Sequence, residues 1–169
     1  KNEMKISRQN MHKYDLAIER RIKNEPVAYI LGKKEFWSED FIVNYSTLIP
    51  RPETELLIYK LVNYFNNKSI NILDIGTGSG CILLSILKEL NLSRGIGIDI
   101  SSEAIKIAKV NSKRLKLHNS SVFKVNDINF FNIGEKYDLI VSNPPYIAQG
   151  DIKKLSKDIV NYEPIVALN

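Results

Sequence analysis

From residue 70 onward, short apolar segments alternate with amphipathic ones, and no other feature of the sequence restricts the fold so strongly. Ile70 to Ile75 reads as a strand, Cys81 to Leu90 as a helix, and Gly95 to Ile100 as a second strand. Ser101 and Ser102 are suited to cap a helix through Leu115, and Ser121 to Val125 and Tyr137 to Val141 read as further strands. Such segments predict a parallel sheet covered on both faces by helices. Because strand-helix-strand crossovers are right-handed, the expected outcome is an α/β doubly wound fold. Ligands of such sheets bind beyond the carboxyl ends of the strands, so chemistry is to be sought just after each strand.

The first strand runs into Asp74-Ile75-Gly76-Thr77-Gly78-Ser79-Gly80, and a helix follows at once. Glycines let the backbone approach a ligand closely, and the helix N-terminus can hold one carboxylate. The spacing is G-x-G-x-G: Cys81 stands where a dinucleotide fingerprint needs its third glycine, and the loop lacks the Lys-Ser/Thr pair of a P-loop. The second strand leads to Asp99, an acid able to accept from both hydroxyls of a ribose. The third leads to Asn126-Asp127-Ile128, where a polar side chain can hold the amino edge of an adenine and an apolar one can cover its face. A ligand with a carboxylate and a nucleoside but no phosphates fits all three places. S-adenosylmethionine is the expected cofactor.

The fourth strand empties into Asn143-Pro144-Pro145-Tyr146. Two successive prolines fix φ and remove two backbone donors, and the residue before each is pushed to an extended conformation. The Asn143 side chain and the Pro144 carbonyl can then both face a cleft. Together they can take the two protons of a planar NH2 group and leave its lone pair aimed along a third direction, with the Tyr146 ring over a flat face. A simple strand-ending turn is the competing reading.

Ahead of the alternating region, residues 5 to about 24 read as a helix without a clear cap, closed by Pro26, with Tyr14, Ala17, Ile18 and Ile22 at helical spacing. Glu35-Phe36-Trp37 and Phe41-Ile42-Val43 flank the turn-like Ser38-Glu39-Asp40 and predict a short hairpin. Pro50-Arg51-Pro52-Glu53-Thr54-Glu55 then ends an extended segment and opens a helix, with both glutamates at the favourable end of its dipole.

Several function classes fall away on composition. A net charge of +5 would suit nucleic acid, but lysine is scattered along all 169 residues, so direct nucleic-acid binding is not expected. The single Cys81 forms no intrachain disulfide, and no Cys/His cluster has metal-ligand spacing, so no metal is expected. No apolar run approaches the ~20 residues of a membrane span, and Lys1-Asn2-Glu3-Met4 does not open a signal peptide. A cytoplasmic protein is expected.

With these residues in place, the chain resembles the HemK/PrmC family of protein-glutamine methyltransferases, which act on peptide-chain release factors. The resemblance starts near Arg21 and rests on Asn24 to Gly32, Glu35-Phe36-Trp37, Ile49 to Glu55, Asp74 to Gly80, Asn143 to Tyr146 and Glu163-Pro164-Ile165-Val166-Ala167-Leu168. It implies a class I, Rossmann-like methyltransferase fold preceded by a helix and a hairpin. Gly76, Thr77, Gly78, Ser79 and Gly80 would line the methionine end of the cofactor, Asp99 its ribose, and Asp127 and Ile128 its adenine. Asn143 would contact cofactor and substrate, with Pro144, Pro145 and Tyr146 completing the catalytic site. Phe36 and Trp37, with Arg51 and Glu53, would lie near the same cleft and help to enclose the substrate glutamine. Several family members carry an aromatic where this chain has Ile128, so the adenine contact would be thinner.

The resemblance also divides the chain. Residues 1–25 would end an N-terminal helical substrate-recognition domain, 26–52 would form a linker and the hairpin, and 53–169 would form the methyltransferase domain. In the methyltransferase strand order the fourth strand lies centrally, so a fifth is expected after Asn169 and the C-terminal strands are expected to be missing from these residues. An amino-group methyltransferase acting on a base of DNA or RNA, or a non-catalytic cofactor-binding module, remain as the rival readings.

Overall fold

A computed structural model describes residues 7–132, 134, 136–148 and 150–169. The Lys1 to Met4 segment and the expected helix start at residue 5 lie outside them. Helix α1 (Arg8–Ile22) does have a cap: the Ser7 hydroxyl accepts from the Asn10 N–H at 3.2 Å. The helix ends ahead of Pro26, because Asn24 takes a left-handed φ of 66°. A short helix α2 (Val27–Leu31), closed by Gly32 at φ 70°, follows. Its Tyr29 is buried and donates to the Thr47 carbonyl at 2.7 Å.

Strands β1 (Lys33–Phe36) and β2 (Glu39–Ile42) form the expected hairpin, but the turn is Trp37-Ser38 rather than Ser38-Glu39-Asp40. Both turn residues have positive φ, 51° and 58°, the type I′ geometry that matches strand twist. Neither is the glycine or asparagine such a turn favours. Two carboxylates hold it: Glu55 accepts from the Trp37 N–H at 3.0 Å, and Glu89 accepts from its indole N–H at 2.8 Å.

A 3-10 turn over Pro52–Thr54 leads into α3 (Glu55–Tyr64). The predicted alternation then appears as β3 (Asn71–Ile75), α4 (Cys81–Glu89), β4 (Arg94–Asp99), α5 (Ser102–Arg114), β5 (Ser121–Val125) and β6 (Leu139–Ser142), and a helix that the sequence pattern did not predict, α6 (Lys157–Tyr162), follows. Ser101 caps α5 as expected, accepting from the Ala104 N–H at 3.2 Å. The four strands are all parallel, in the order β5-β4-β3-β6. The core lies between β3 and α4, where Ile72, Leu73, Leu83, Leu84 and Ile86 are fully buried. Phe36 and Phe41 of the hairpin join that core edge to face, with ring centroids 6.1 Å apart. Burial is thinner on the outer strands: Val122 of β5 and Ile140 of β6 are each half exposed. Among the described residues no helix is long and apolar enough to cross a membrane.

Candidate functional site

The strand order changes direction at β3, with β4 and β5 on one side and β6 on the other. Connections leaving the two sides diverge there and open a crevice above the strand ends. A cavity of about 400 Å³ occupies it, lined by residues 75–79, 98–101, 126–128 and 142–145, which are the segments that end or follow all four strands. Further lining comes from 46–48, Pro50, Arg51 and Thr54 and from Pro164, Val166 and Ala167.

The glycine loop has a physical reason for its spacing. Gly76, Gly78 and Gly80 take φ of 70°, 55° and 80°, whereas Thr77 and Ser79 between them do not enter the left-handed region. A side chain at any of the three would be strained. The loop lies directly on β4, because the N–H groups of Gly76 and Thr77 both donate to the Ile98 carbonyl at 2.9 and 3.0 Å. A Cβ at Gly97 would come within 2.7 Å of the Thr77 hydroxyl and the Phe123 ring, so that glycine is what allows the contact. The first N–H groups of α4 have no intrahelical acceptor. Ser79 and Cys81 line the cavity, so an anion there meets the positive end of the helix.

Asp99 is held in place rather than swinging free. Its Oδ2 accepts from the Gly78 N–H and its Oδ1 from the Ser101 N–H, each at 2.9 Å. Each oxygen keeps a second acceptor site. Asp127 accepts from the Asn129 N–H at 2.9 Å, and Ile128 follows on the cavity wall. Asp74, by contrast, is 1% exposed and does not reach the cavity; it accepts from the Thr77 hydroxyl at 2.6 Å. Burial pushes its carboxyl up to about 6, opposed by the Thr77 bond and reinforced by the Asp99 charge. Burial likewise pushes the Cys81 thiol up to about 12, so it stays protonated and is no nucleophile.

At the end of β6 the Ser142 hydroxyl donates to the Ile75 carbonyl at 2.9 Å, and Asn143, Pro144 and Pro145 continue along the cavity. No described residue makes a hydrogen bond to the Asn143 side chain or to the Pro144 carbonyl. Tyr146, 82% exposed, lies outside this wall and lines an adjoining groove of about 320 Å³. Arg51, Asn143, Pro144 and Pro145 border both spaces. The Arg51 guanidinium donates to Glu163 at 2.6 Å, and the other Glu163 oxygen accepts from the Ile49 N–H at 3.3 Å. Nearby, the Ile147 N–H donates to the Leu168 carbonyl at 3.1 Å.

The structure therefore gathers Gly76, Thr77, Gly78, Ser79, Asp99, Asp127, Ile128, Asn143, Pro144, Pro145 and Arg51 around one cavity. Gly80 stands just behind it, where a Cβ would press on Leu84, Phe123 and Ala108. The expectation for the hairpin aromatics needs correcting. Phe36 is 1% exposed because the two-residue turn points it into the core, and Trp37 is pinned to Glu89 at the far end of α4. Glu53 is exposed, and its neighbour Thr54 faces the cavity instead. Sequence reasoning assigned no role to Glu163 or Asn111. A charged residue just before Pro164, and an amide on the apolar face of α5, were the available signals.

Comparison with known proteins points to a methyltransferase domain. The family profile described as Methyltransferase domain matches residues 66–164, and that described as PrmC N-terminal domain matches residues 1–32. The release factor glutamine methyltransferase of Buchnera aphidicola subsp. Schizaphis graminum is 47% identical over 98% of the chain. The protein of the same name from Aliivibrio fischeri is 38% identical over 96%. The chain spans 59% and 57% of the lengths of these two relatives. Among solved structures, the hMettl16 catalytic domain in complex with MAT2A 3'UTR hairpin 6 superposes with a TM-score of 0.64 and 20% identity, covering 84% of this chain and 55% of that one. At that identity the likeness is one of fold. Because the domain profile matches more than half of its residues, the chain belongs to the methyltransferase domain family.

Proposed function

We propose that the chain carries the methyl-transfer site of a release factor glutamine methyltransferase, which uses S-adenosylmethionine to methylate the side-chain amide nitrogen of a glutamine. In this reading residues 1–25 end a substrate-recognition domain, 26–52 link it to the site, and 53–169 transfer the methyl group. The observation that carries the reading is a pair of acceptors, the Asn143 side chain and the Pro144 carbonyl, that take no hydrogen bond from any described residue, on the wall of the cavity that also holds the glycine loop and Asp99.

The cavity suits the cofactor. Its volume falls within the ordinary range of ligand pockets, roughly 300 to 1,000 Å³. The N-terminus of α4 would take the methionine carboxylate, the free acceptor sites of Asp99 the ribose hydroxyls, and Asp127 with Ile128 the adenine. The cofactor supplies a methyl group already activated by the sulfonium charge. The protein's work is orientation. An amide nitrogen is a poor nucleophile because its lone pair is delocalised into the carbonyl. With one amide proton accepted by Asn143 and the other by Pro144, the nitrogen is held where the lone pair can be directed at the methyl carbon. The product nitrogen, positively charged and very acidic, sheds its proton to water without a dedicated base.

The test is transfer of a labelled methyl group to a release factor, with single-stranded nucleic acid as a parallel substrate. Label on a glutamine amide nitrogen is expected. Label on a base, or none on the release factor, overturns the proposal.

A further inference from the structure

Asn111 puts a polar side chain where α5 calls for an apolar one. It shares the buried face with Ala104, Ile105 and Ala108, and is itself 1% exposed. A buried amide is unfavourable unless its polar atoms are paired, and here all of them are. Its Oδ1 accepts from the Ile42 N–H at 2.8 Å, while its NH2 donates to the Ile42 carbonyl at 3.0 Å and to the Ser79 carbonyl at 2.9 Å. The orientation follows from chemistry, since the N–H needs an oxygen opposite it and the two carbonyls need donors.

The bond to Ser79 falls at the softest point of the cofactor loop. Ser79 stands between Gly78 and Gly80, whose backbones are the least restrained of any residue type. The Ser79 carbonyl belongs to the same peptide plane as the Gly80 N–H, which donates to the Thr77 carbonyl at 2.8 Å. Asn111 and Thr77 thus pin one plane from both sides. Its direction sets where the first amides of α4 face.

We propose that Asn111 is a positioning residue for the cofactor: it fixes the Ser79–Gly80 peptide and so aims the α4 N-terminus at the ligand's carboxylate, and through Ile42 it makes the β1–β2 hairpin the loop's support. This rests on the cavity holding S-adenosylmethionine. Calorimetric titration of the full protein with S-adenosylhomocysteine tests it, using Asn111→Ala and Asn111→Asp well below each variant's melting midpoint. The aspartate keeps the acceptor for Ile42 but turns an oxygen towards Ser79. Both should weaken binding about fivefold to tenfold, the loss of the one buried hydrogen bond that reaches Ser79, while KM for the protein substrate moves less than about twofold. Affinity equal to the parent's with a lowered melting temperature makes Asn111 purely structural and overturns the inference. No binding by the parent overturns the reading of the cavity, and this inference with it. Should neither variant fold, the Asn111 side-chain NH2 resonances of the parent decide: they should shift when the protein is saturated, and unmoved resonances overturn the inference.

Discussion

The ion pair between Arg51 and Glu163 joins two segments 112 residues apart at the rim of the cavity, and a double-mutant cycle would measure what that joint is worth. The Glu163 side chain is 1% exposed and that of Arg51 31%. Removing one partner of a fully buried pair costs about 3 to 5 kcal/mol, because the other charge is left without compensation. Arg51 can still reach water, so for Glu163→Ala the electrostatic part should fall below that range, near 2 kcal/mol. The Ile49 N–H also loses its acceptor in a buried setting, which adds about 1 kcal/mol. The sum, about 3 kcal/mol, corresponds to a fall in melting temperature of roughly 6 to 12 °C for a chain of this size.

Glu163→Gln keeps the volume but only one of the two acceptors, so its NH2 is left facing either the Arg51 guanidinium or the Ile49 N–H. Loss of the charge together with one unpaired buried donor should make it about as costly as Glu163→Ala, roughly 2 to 3 kcal/mol. Urea denaturation of Arg51→Ala, Glu163→Ala and the double variant should give a coupling energy near 2 kcal/mol, since residues in direct contact are the ones that fail to add. A coupling below about 0.5 kcal/mol, the level expected of a solvated surface pair, would refute the argument. Because Arg51 borders both the cavity and the groove beside Tyr146, the same variants should also raise KM for the protein substrate.

Asp99→Ala should weaken cofactor binding by about 1 to 3 kcal/mol in calorimetry, since the ribose hydroxyls lose a charged acceptor; unchanged affinity would remove Asp99 from the site. Asn143→Ala should lower turnover by about a hundredfold in labelled-methyl assays while cofactor affinity stays within a factor of about two, because its role is orientation of the substrate amide; retained turnover refutes that role. Phe36→Ala should cost about 3 to 5 kcal/mol of stability in urea melts and leave KM for the protein substrate unaltered, as befits a core residue outside the cleft. The Asp74 carboxyl, raised by burial to about 6, contributes stability that is fully present below about pH 4 and is lost as pH rises through about 6. The loss is about 3 kcal/mol, so Asp74→Asn, which can still accept from Thr77, should gain on the parent between pH 4 and pH 8 in urea melts; a constant difference would show that the carboxyl does not titrate there.

What could be read from the sequence and what could not divide along a physical line. The alternation of β3, α4, β4, α5 and β5 was legible because each element declares itself locally, through apolar period and through caps such as Ser101. The cavity residues were legible for a related reason: an open parallel sheet places the ends of its strands together whatever the loops do, so Gly76, Asp99, Ile128 and Asn143 converge by topology. The hairpin followed no such rule. Trp37-Ser38 is a poor type I′ turn by local preference, and it is held there by Glu55 and Glu89, which come 18 and 52 residues later. Once the turn is fixed, the side of the hairpin that carries Phe36 is fixed too, so an aromatic that looks like a lid from its neighbours becomes core. Asn111 and Glu163 belong to the same class. Each is a polar side chain in an apolar setting, which signals that a partner must exist, but the partners, Ile42 and Ser79 for one and Ile49 and Arg51 for the other, are set by packing alone. The residues that meet the ligand are thus written in local pattern, and the residues that hold those in place are written only in the fold. Substitutions at the second group should therefore act on the site through the first, and the Arg51–Glu163 cycle and the Asn111 titration probe that dependence at two separate supports of the cavity.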